Sequence, residues 1–204
     1  MSITEIKNVF SEEEIKDLHD TINNVFIPKD ENGDYVVCKN SDGVDKNLGR
    51  LISILELDNE CSPHIPSYIQ DKIVRIAEDI LKEPVGIAHA LHATYSSKHG
   101  TPNLPPHFDG DTNDLIINFQ LSSNTSWGLG LGLNNYKIDD NSALVFNGNT
   151  NIHWRPNKVF KDGEYVQMIF FRFYKINNRT DYSYVPMNQA DKVFEDVIKF
   201  RNSL

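Results

Sequence analysis

Cysteine, long apolar runs and positive charge are all scarce in this chain of 204 residues. The two cysteines, Cys38 and Cys61, are too few for a disulfide framework and lack the paired spacing of a metal site, so we expect two unrelated reduced thiols. No run approaches the ~18 consecutive apolar residues of a membrane span. The N-terminus also lacks the basic-then-apolar order of a secretion signal, which predicts a cytoplasmic protein with no membrane partner.

The charge balance is acidic, with 20 Lys and Arg against 29 Asp and Glu and a formal net charge of -9. Binding to nucleic acid depends on a surface rich in Lys and Arg, so we expect no nucleic-acid partner. Hydrophobic residues make up 39% of the chain and charged residues 24%, values that are ordinary for a folded globular protein. The length fits a single domain over residues 1–204.

Three zones divide this predicted domain. Residues 1–84 carry two amphipathic helical patterns and form its predicted helical support. The first pattern opens with the capping box Ser11–Glu14, and Ser67–Gln70 repeats the same capping pattern before the second. Residues 176–204 end in a third helical pattern, which we expect to pack back on the sheet or on a neighbouring subunit.

Residues 85–175 form the predicted β core. Short apolar or alternating runs are separated by turn residues, and Asp162-Gly163 is a strong two-residue hairpin signal. The runs are Gly86–Leu91, Leu115–Leu121, Ala143–Phe146 and Val166–Phe171. Strands at this spacing, with no helix between them, predict an antiparallel sandwich or barrel with flanking helices.

An imidazole and a carboxylate stand two residues apart where His107 and Asp109 flank Phe108. On an extended segment such residues point to the same side. His153 lies 44 residues beyond Asp109 (153 minus 109), shortly after the predicted strand that ends at Phe146. If the β core brings these segments together, two imidazoles and one carboxylate form the facial triad of non-haem Fe(II) enzymes. Taken alone, a His-x-Asp beside glycine is also typical of turn chemistry.

In this order of segments the sequence resembles the 2-oxoglutarate- and Fe(II)-dependent dioxygenases, nearest to their prolyl-4-hydroxylase-like branch. The segments that carry the resemblance are Asn8–Glu14, Tyr95, Leu104–Asp109, Leu115–Leu121, Trp127–Leu131, Ala143–Phe146, Ile152–Trp154 and the following hairpin to Phe173. The resemblance implies a double-stranded β-helix, the jelly-roll or cupin-like fold.

The same resemblance implies that His107, Asp109 and His153 hold Fe(II) and form the catalytic site. It further implies 2-oxoglutarate as co-substrate and O₂ as oxidant. The carboxylate of Asp109 favours hydroxylation, because halogenating relatives have a small residue at that position. The implied substrate is an amino acid, a peptidyl residue such as proline, or another small polar metabolite.

One departure from the family concerns the co-substrate. In the family an Arg or Lys shortly after the distal His binds the far carboxylate of 2-oxoglutarate, which suits a guanidinium because its planar fork matches a carboxylate. This chain has Gly163-Glu164-Tyr165 at the matching place. Tyr165 and Gln167 can donate hydrogen bonds there but carry no positive charge.

Two arginines could supply the missing charge. If Asp162-Gly163 is a two-residue loop, Arg172 pairs opposite His153. Arg155 follows His153 by two residues, so on an extended arm its side chain leaves on the same face. The resemblance adds Tyr95, which matches a position whose hydroxyl often contacts the co-substrate. Each arginine could equally be a solvated residue of the sheet face, and Tyr95 a core residue.

Two other functions stay open at this point. The missing arginine favours a non-catalytic cupin-like module that binds a metal or small ligand. A metal-dependent oxygenase or isomerase of the cupin type would need no 2-oxoglutarate. The sequence leaves the identity of the substrate and the oligomeric state open.

Overall fold

The computed structural model describes residues 3–23, 44–45, 49–55, 65–102, 104–109, 114–177 and 187–204. Its helices and strands are, in chain order, β1 Thr4–Lys7, α1 Glu12–Asn23, β2 Val44–Asp45, β3 Arg50–Leu55, α2 Ser67–Leu81, β4 Val85–Ser96, β5 Leu115–Ser123, β6 Gly128–Leu131, β7 Asn134–Lys137, β8 Ser142–Phe146, β9 His153–Trp154, β10 Tyr165–Lys175 and α3 Met187–Asn202. Cys38 and Cys61 lie outside the described residues, so the prediction of two reduced thiols stays a prediction.

Two antiparallel sheets form the centre of the molecule. The larger has the order β1-β8-β5-β10-β4-β3-β2 and the smaller the order β7-β6-β9. A single bridge between His107 and His153 adds the segment around His107 to the small sheet, next to β9. The predicted mainly-β fold with flanking helices is therefore confirmed, and the arrangement is a double-stranded β-helix.

Side chains of the large sheet alternate between two apolar clusters. One set faces the small sheet, and among its buried members are Ile116, Phe146 and Met168. The other set, which includes Phe119 and Ile169, faces the helices α1 and α2. Because successive residues of a strand point to opposite faces, each strand helps to build both the cavity between the sheets and the outer helical layer.

The predicted strands are all present, but the first zone holds more than helices. The four predicted runs lie in β4, β5, β8 and β10. Residues 1–84 also contribute β1, which pairs with β8, and β3, which pairs with β4. The second pairing brings Arg50 opposite Tyr95. A zone predicted as helical support therefore also supplies a residue to the interior of the sheet.

The first predicted helix start is confirmed and the second is wrong. At α1, the backbone N–H of Ser11 donates to Glu14 Oε2 at 2.7 Å and the N–H of Glu14 donates to Ser11 Oγ at 3.2 Å, which is a capping box. At α2 the N-cap is Pro66, with no side-chain cap. Ser67 is already inside the helix. The N–H groups of Ile69 and Gln70 donate to the Pro66 carbonyl and not to a side chain of Ser67.

Asp162-Gly163 forms a turn, and Gly163 has the positive φ of 78° that such turns favour in glycine. The turn does not close a two-residue hairpin, however, because β9 and β10 belong to different sheets. The prediction that Arg172 pairs opposite His153 is therefore wrong. Arg172 lies opposite Ile116 on β5 and His89 on β4.

Helix α3 packs behind the small sheet, which confirms that it folds back on the sheet. The rings of Phe200 and Trp154 meet edge to face with centroids 5.9 Å apart, and those of Phe194 and Phe108 with centroids 5.5 Å apart. Trp154 follows His153 in the sequence, and Phe108 lies between His107 and Asp109. Within the described residues, no helix is long and apolar enough to cross a lipid bilayer.

Candidate metal centre

Backbone pairing brings the three predicted ligands together. The N–H of His107 donates to the His153 carbonyl at 3.0 Å, and the N–H of His153 donates to the His107 carbonyl at 2.9 Å. The N–H of Asp109 donates to the Gly148 carbonyl at 3.0 Å, which fixes the end of the same segment. As a result, ligand atoms of His107, Asp109 and His153 all lie within 4.8 Å of one another.

The nitrogen atoms that face the carboxylate are the ones a metal needs. His107 Nε2 lies 3.8 Å from Asp109 Oδ1, and His153 Nε2 lies 3.5 Å from Asp109 Oδ2. Neighbouring ligands about 2.1 Å from one ion are themselves about 3 Å apart, so these atoms would move closer together on binding a shared ion.

Each imidazole is oriented by a carbonyl on its other side. His107 Nδ1 lies 2.8 Å from the Pro105 carbonyl, and His153 Nδ1 lies 3.1 Å from the Asn151 carbonyl. A carbonyl only accepts hydrogen bonds, so we assign the proton of each neutral ring to Nδ1 and the lone pair to Nε2. Hydrogen bonds from Nδ1 to a carbonyl are typical of histidines that bind a metal through Nε2.

Burial keeps His153 in the form that binds a metal. It lowers the pKa of this imidazole to about 4, and the nearby His107 adds to the effect while the Asp109 carboxylate opposes it. At neutral pH the ring is therefore uncharged and its Nε2 lone pair is available. No proton has to be removed before an ion binds.

A guanidinium lies beside the carboxylate of the triad. Arg172 Nη2 is 3.6 Å from Asp109 Oδ1. The Arg172 side chain is 25% exposed and that of Asp109 only 9% exposed, so both lie largely out of solvent. Arg172 thus stands at the metal end of the site although it does not pair with His153.

A cavity of about 340 Å³ opens in front of the triad. Much of its wall is apolar, formed by Leu104, Ile116, Leu129, Phe146 and Phe170. Polar groups enter it at a few points only, from the triad, Arg50, Asn118 and Arg172. A mostly apolar pocket with a few converging polar groups is typical of a small-molecule site.

The inner end of this cavity is cationic. Arg50 lines it, and Arg50 Nη1 lies 3.5 Å from the hydroxyl of the buried Tyr95. Arg155 lies directly behind the wall, with Nη2 3.4 Å from Asn118 Oδ1. Burial lowers the pKa of Arg155, and the positive charge of Arg50 adds to this effect.

Arg155 is completely buried, and no described residue gives it a counter-ion. Its Nη1 donates to the Gly128 carbonyl at 2.9 Å, its Nη2 also contacts Met168 Sδ, and its guanidinium stacks on the Trp127 ring at 4.8 Å. Burial lowers its pKa to about 10. No carboxylate of the described residues lies within ion-pairing distance, and its buried Nε has no hydrogen-bond partner among them. An unpaired buried cation is costly, so this one is suited to an anionic ligand.

Two of the predicted co-substrate residues lie elsewhere. Tyr165 and Gln167 alternate along β10 with Val166 and Met168, whose side chains point between the sheets. They therefore face the opposite side of the sheet, where Gln167 Oε1 accepts a hydrogen bond from Ser122 Oγ at 2.8 Å. The structure does not bring these two residues to the cavity.

Sequence reasoning missed Arg50 and Asn118. Arg50 is the first residue of β3, a strand that the helical texture of residues 1–84 does not reveal, and the pairing of β3 with β4 brings it to the cavity. Asn118 stands inside an apolar run. A polar residue at an inward position of such a run is the signal that could have identified it, since buried polar groups require partners.

The fold is similar to solved structures of oxygenases at low sequence identity. A prolyl hydroxylase from Trichoplax adhaerens, in complex with a hypoxia inducible factor oxygen degradation domain peptide, matches with a TM-score of 0.55 and 13% identity over 87% of this chain and 85% of that chain. HygX from Streptomyces hygroscopicus, with nickel and 2-oxoglutarate bound, matches with a TM-score of 0.59 and 10% identity over 86% and 83%. The viral collagen prolyl hydroxylase of Paramecium Bursaria Chlorella virus-1, in its 2-oxoglutarate complex, matches with a TM-score of 0.55 and 13% identity over 85% and 97%.

The chain has the fold of the 2-oxoglutarate- and Fe(II)-dependent oxygenases. The resemblance inferred from the sequence is thereby confirmed for the fold. No protein-family model matches the chain, and no curated protein sequence matches it significantly. At these identities the likeness is one of fold, so function has to be inferred from the site itself.

Proposed function

We propose that this chain is an Fe(II)- and 2-oxoglutarate-dependent oxygenase that hydroxylates a C–H bond of an amino acid, a peptidyl residue or a small polar metabolite. The observation that carries the proposal is the convergence of His107 Nε2, Asp109 and His153 Nε2 at one end of a cavity. Each member of the triad comes from a segment that backbone hydrogen bonds hold in place.

The donor set fits Fe(II). Two neutral imidazoles and one carboxylate are the ligands of the non-haem Fe(II) facial triad, whereas Ca²⁺ and Mg²⁺ prefer oxygen ligands alone. His107 and His153 receive their orientation from the Pro105 and Asn151 carbonyls, which turn both Nε2 atoms towards the site of the ion. When bound, Fe(II) and 2-oxoglutarate would supply the electrons that activate O₂, and O₂ would be the oxidant of the C–H bond.

We assign the far carboxylate of 2-oxoglutarate to the inner cationic end of the cavity. Arg50 and the Tyr95 hydroxyl are the groups that would donate to it directly, and Arg155 lies behind Asn118 as a buried positive charge. A carboxylate placed there would relieve the repulsion between the two guanidiniums and give Arg155 the counter-ion that the described residues do not provide.

This assignment replaces the missing arginine of β10 with residues from other strands. The inward positions at the start of β10 are Val166 and Met168, neither of which carries charge. Arg155 follows β9 in the opposite sheet, and its Nη2 reaches Met168. Arg155 thus supplies positive charge to the start of β10 from the opposite sheet. In the family this charge belongs to a residue of the strand itself, and the sequence alone does not identify its replacement.

The apolar part of the wall has its own role. Leu104, Ile116, Leu129, Phe146 and Phe170 reduce the access of water to the cavity. A drier site strengthens the interactions between the guanidiniums and carboxylates inside it and limits side reactions of an activated oxidant. Of the similar structures, the Trichoplax adhaerens prolyl hydroxylase holds a peptide and HygX holds hygromycin B, so they do not select one substrate class for this chain.

A spectroscopic experiment tests the proposal without knowledge of the substrate. Anaerobic protein given Fe(II) and 2-oxoglutarate should develop a weak visible charge-transfer band, and on admission of O₂ it should form succinate. The His153→Ala variant should give neither. Absence of the band in the wild-type protein, together with no succinate, would contradict the proposal; a band without succinate under any substrate panel would favour the non-catalytic module.

Location and partners are predicted from the composition and the N-terminal sequence alone. A cytoplasmic location, and the lack of nucleic-acid and membrane partners, stay predictions drawn from charge and from the N-terminal sequence.

A further inference from the structure

The cavity is cationic in a protein that is acidic. The chain carries a formal net charge of -9. Around the cavity, Arg50 and Arg172 line the wall and Arg155 lies just behind it, while Asp109 is the only acidic residue among the described lining residues. Among the described residues at the cavity, arginine side chains therefore outnumber carboxylates by two.

The proposed ligands leave this excess unchanged. A divalent metal ion adds two positive charges and the 2-oxoglutarate dianion removes two, so together they leave the balance among these described groups unchanged. Positive charge in a largely apolar enclosure favours an anionic ligand. An additional anion is therefore the ligand that the filled cavity would favour.

Arg172 is the group that such an anion would meet. The inner cationic end involves Arg50, Tyr95 and Arg155, and Tyr95 pairs with Val166 near the start of β10. Arg172 lies six residues further along the same strand, which corresponds to about 20 Å of extended chain. The two cationic groups therefore stand at different ends of the cavity, and one carboxylate cannot occupy both.

Arg172 has N–H groups that make no contact with the triad. Among the described residues, its one ion pair is that of Nη2 with Asp109 Oδ1 at 3.6 Å, and its buried Nε has no hydrogen-bond partner. A guanidinium has five N–H donors in a planar fork that matches a carboxylate through two parallel hydrogen bonds. Once Asp109 binds a metal, the rest of this fork is available at the metal end of the cavity.

We propose that Arg172 binds the carboxylate of the substrate, and hence that the substrate is a small carboxylic acid oxidised at a carbon near that carboxylate. This inference rests on the proposed function and narrows it. It assigns Arg172 to substrate specificity instead of to 2-oxoglutarate. It also favours small acids over neutral peptides, because the cavity volume of about 340 Å³ is shared with the co-substrate.

The experiment uses matched pairs of ligands on the anaerobic protein loaded with Fe(II) and 2-oxoglutarate. Each pair consists of a carboxylic acid and its primary amide, drawn from amino acids and from hydroxy acids of three to six carbons, with phosphate esters of similar size added as a third group. Binding is measured as the perturbation of the charge-transfer band, and succinate formation is measured after O₂ is admitted.

We expect at least one acid to bind about tenfold or more tightly than its amide, as for a charge-assisted pair in a low-dielectric site. In Arg172→Gln this preference should fall to within about twofold, and Arg172→Lys should retain part of it. The dissociation constant of 2-oxoglutarate should change by less than about twofold in both variants. An unchanged band with 2-oxoglutarate shows in addition that the variants are folded.

Arg155→Met is the matched comparison. It should weaken 2-oxoglutarate but leave the ratio between acid and amide intact when the co-substrate is saturating. The inference is overturned if amides bind as well as acids, if no acid perturbs the band, if phosphate esters bind best, or if Arg172→Gln weakens 2-oxoglutarate itself. If the wild-type protein forms no band, the proposed function fails and this inference fails with it.

Discussion

His107 and His153 lie 46 residues apart (153 minus 107) and yet exchange both of their backbone hydrogen bonds, at 3.0 and 2.9 Å. Their rings stand with centroids 4.1 Å apart. The metal site therefore depends on the pairing of two distant segments and not on a local motif. Changes that disturb this pairing should act on metal affinity as much as changes in the ligands themselves.

Replacement of a ligand should abolish metal binding while the fold persists. His107→Ala removes one of three donors, so we expect the dissociation constant for Zn(II), used as an inert probe, to rise on the order of 100-fold or more. His19→Ala, on α1 and outside the triad, is the control and should bind as the wild-type protein does. Isothermal titration calorimetry measures both. Equal affinity in His107→Ala and the control would remove His107 from the site.

Arg155→Met should weaken 2-oxoglutarate without destabilising the protein. Methionine has a similar length but removes an unpaired buried cation, and such replacements are often neutral or stabilising. We expect the dissociation constant of 2-oxoglutarate to rise at least about tenfold, while the free energy of unfolding falls by no more than about 1 kcal/mol. Titration of the metal-loaded protein and urea denaturation test the two parts. A large loss of stability with unchanged co-substrate binding would show that Arg155 is purely structural.

The metal-free protein should lose stability as the pH falls, partly through His92. Burial lowers the pKa of this imidazole to about 4, and the positive charge of His19 adds to the effect. The unfolded chain takes up a proton on His92 as the pH falls through 6.5, whereas the folded chain does so only near pH 4. The contribution of the neutral His92 to the free energy of unfolding is therefore complete above pH 6.5 and is lost between pH 6.5 and pH 4.

Between pH 7 and pH 5 this single group should cost about 2 kcal/mol of unfolding free energy. His92→Gln removes the titration, so its stability should decline less over the same range. Urea denaturation at both pH values measures the difference. Parallel curves for the variant and the wild-type protein would contradict a neutral buried His92.

Two glycines of the small sheet offer a matched pair of substitutions. A Cβ on Gly130 would lie 2.0 Å from the Trp154 ring, next to His153, whereas a Cβ on Gly132 would meet nothing within 4 Å. Gly130→Ala should therefore cost up to about 3 kcal/mol and lower metal affinity, since Trp154 cannot move without β9. Gly132→Ala should cost about 1 kcal/mol for its positive φ and leave the metal site intact. Thermal unfolding and metal titration compare the two; equal metal affinity in both variants would contradict a site held by this packing.

The triad could be predicted from the sequence because its two halves carry local signals. His107 and Asp109 alternate on one extended segment, and His153 follows a recognisable strand. The apolar runs of β4, β5, β8 and β10 were predictable for the same reason, since each pattern is contained within a few residues.

The cationic inner end could not be predicted, because it depends on pairings between distant strands. Arg50 reaches the cavity through the register of β3 against β4, where it lies opposite Tyr95. A simple hairpin at Asp162-Gly163 predicts Arg172 opposite His153, but β9 and β10 lie in different sheets. Arg155 was identified by alternation from His153, and only the structure gives its burial and its neighbours.

The most direct test of the account is a crystal structure of the anaerobic protein soaked with Fe(II), or with an inert surrogate, and 2-oxoglutarate. The account predicts one metal ion bound by His107 Nε2, a carboxylate oxygen of Asp109 and His153 Nε2. It also predicts that the far carboxylate of 2-oxoglutarate lies at Arg50 and Tyr95 with Arg155 behind it. A metal ion bound away from these three residues, or a co-substrate whose far carboxylate pairs with Arg172, would contradict it.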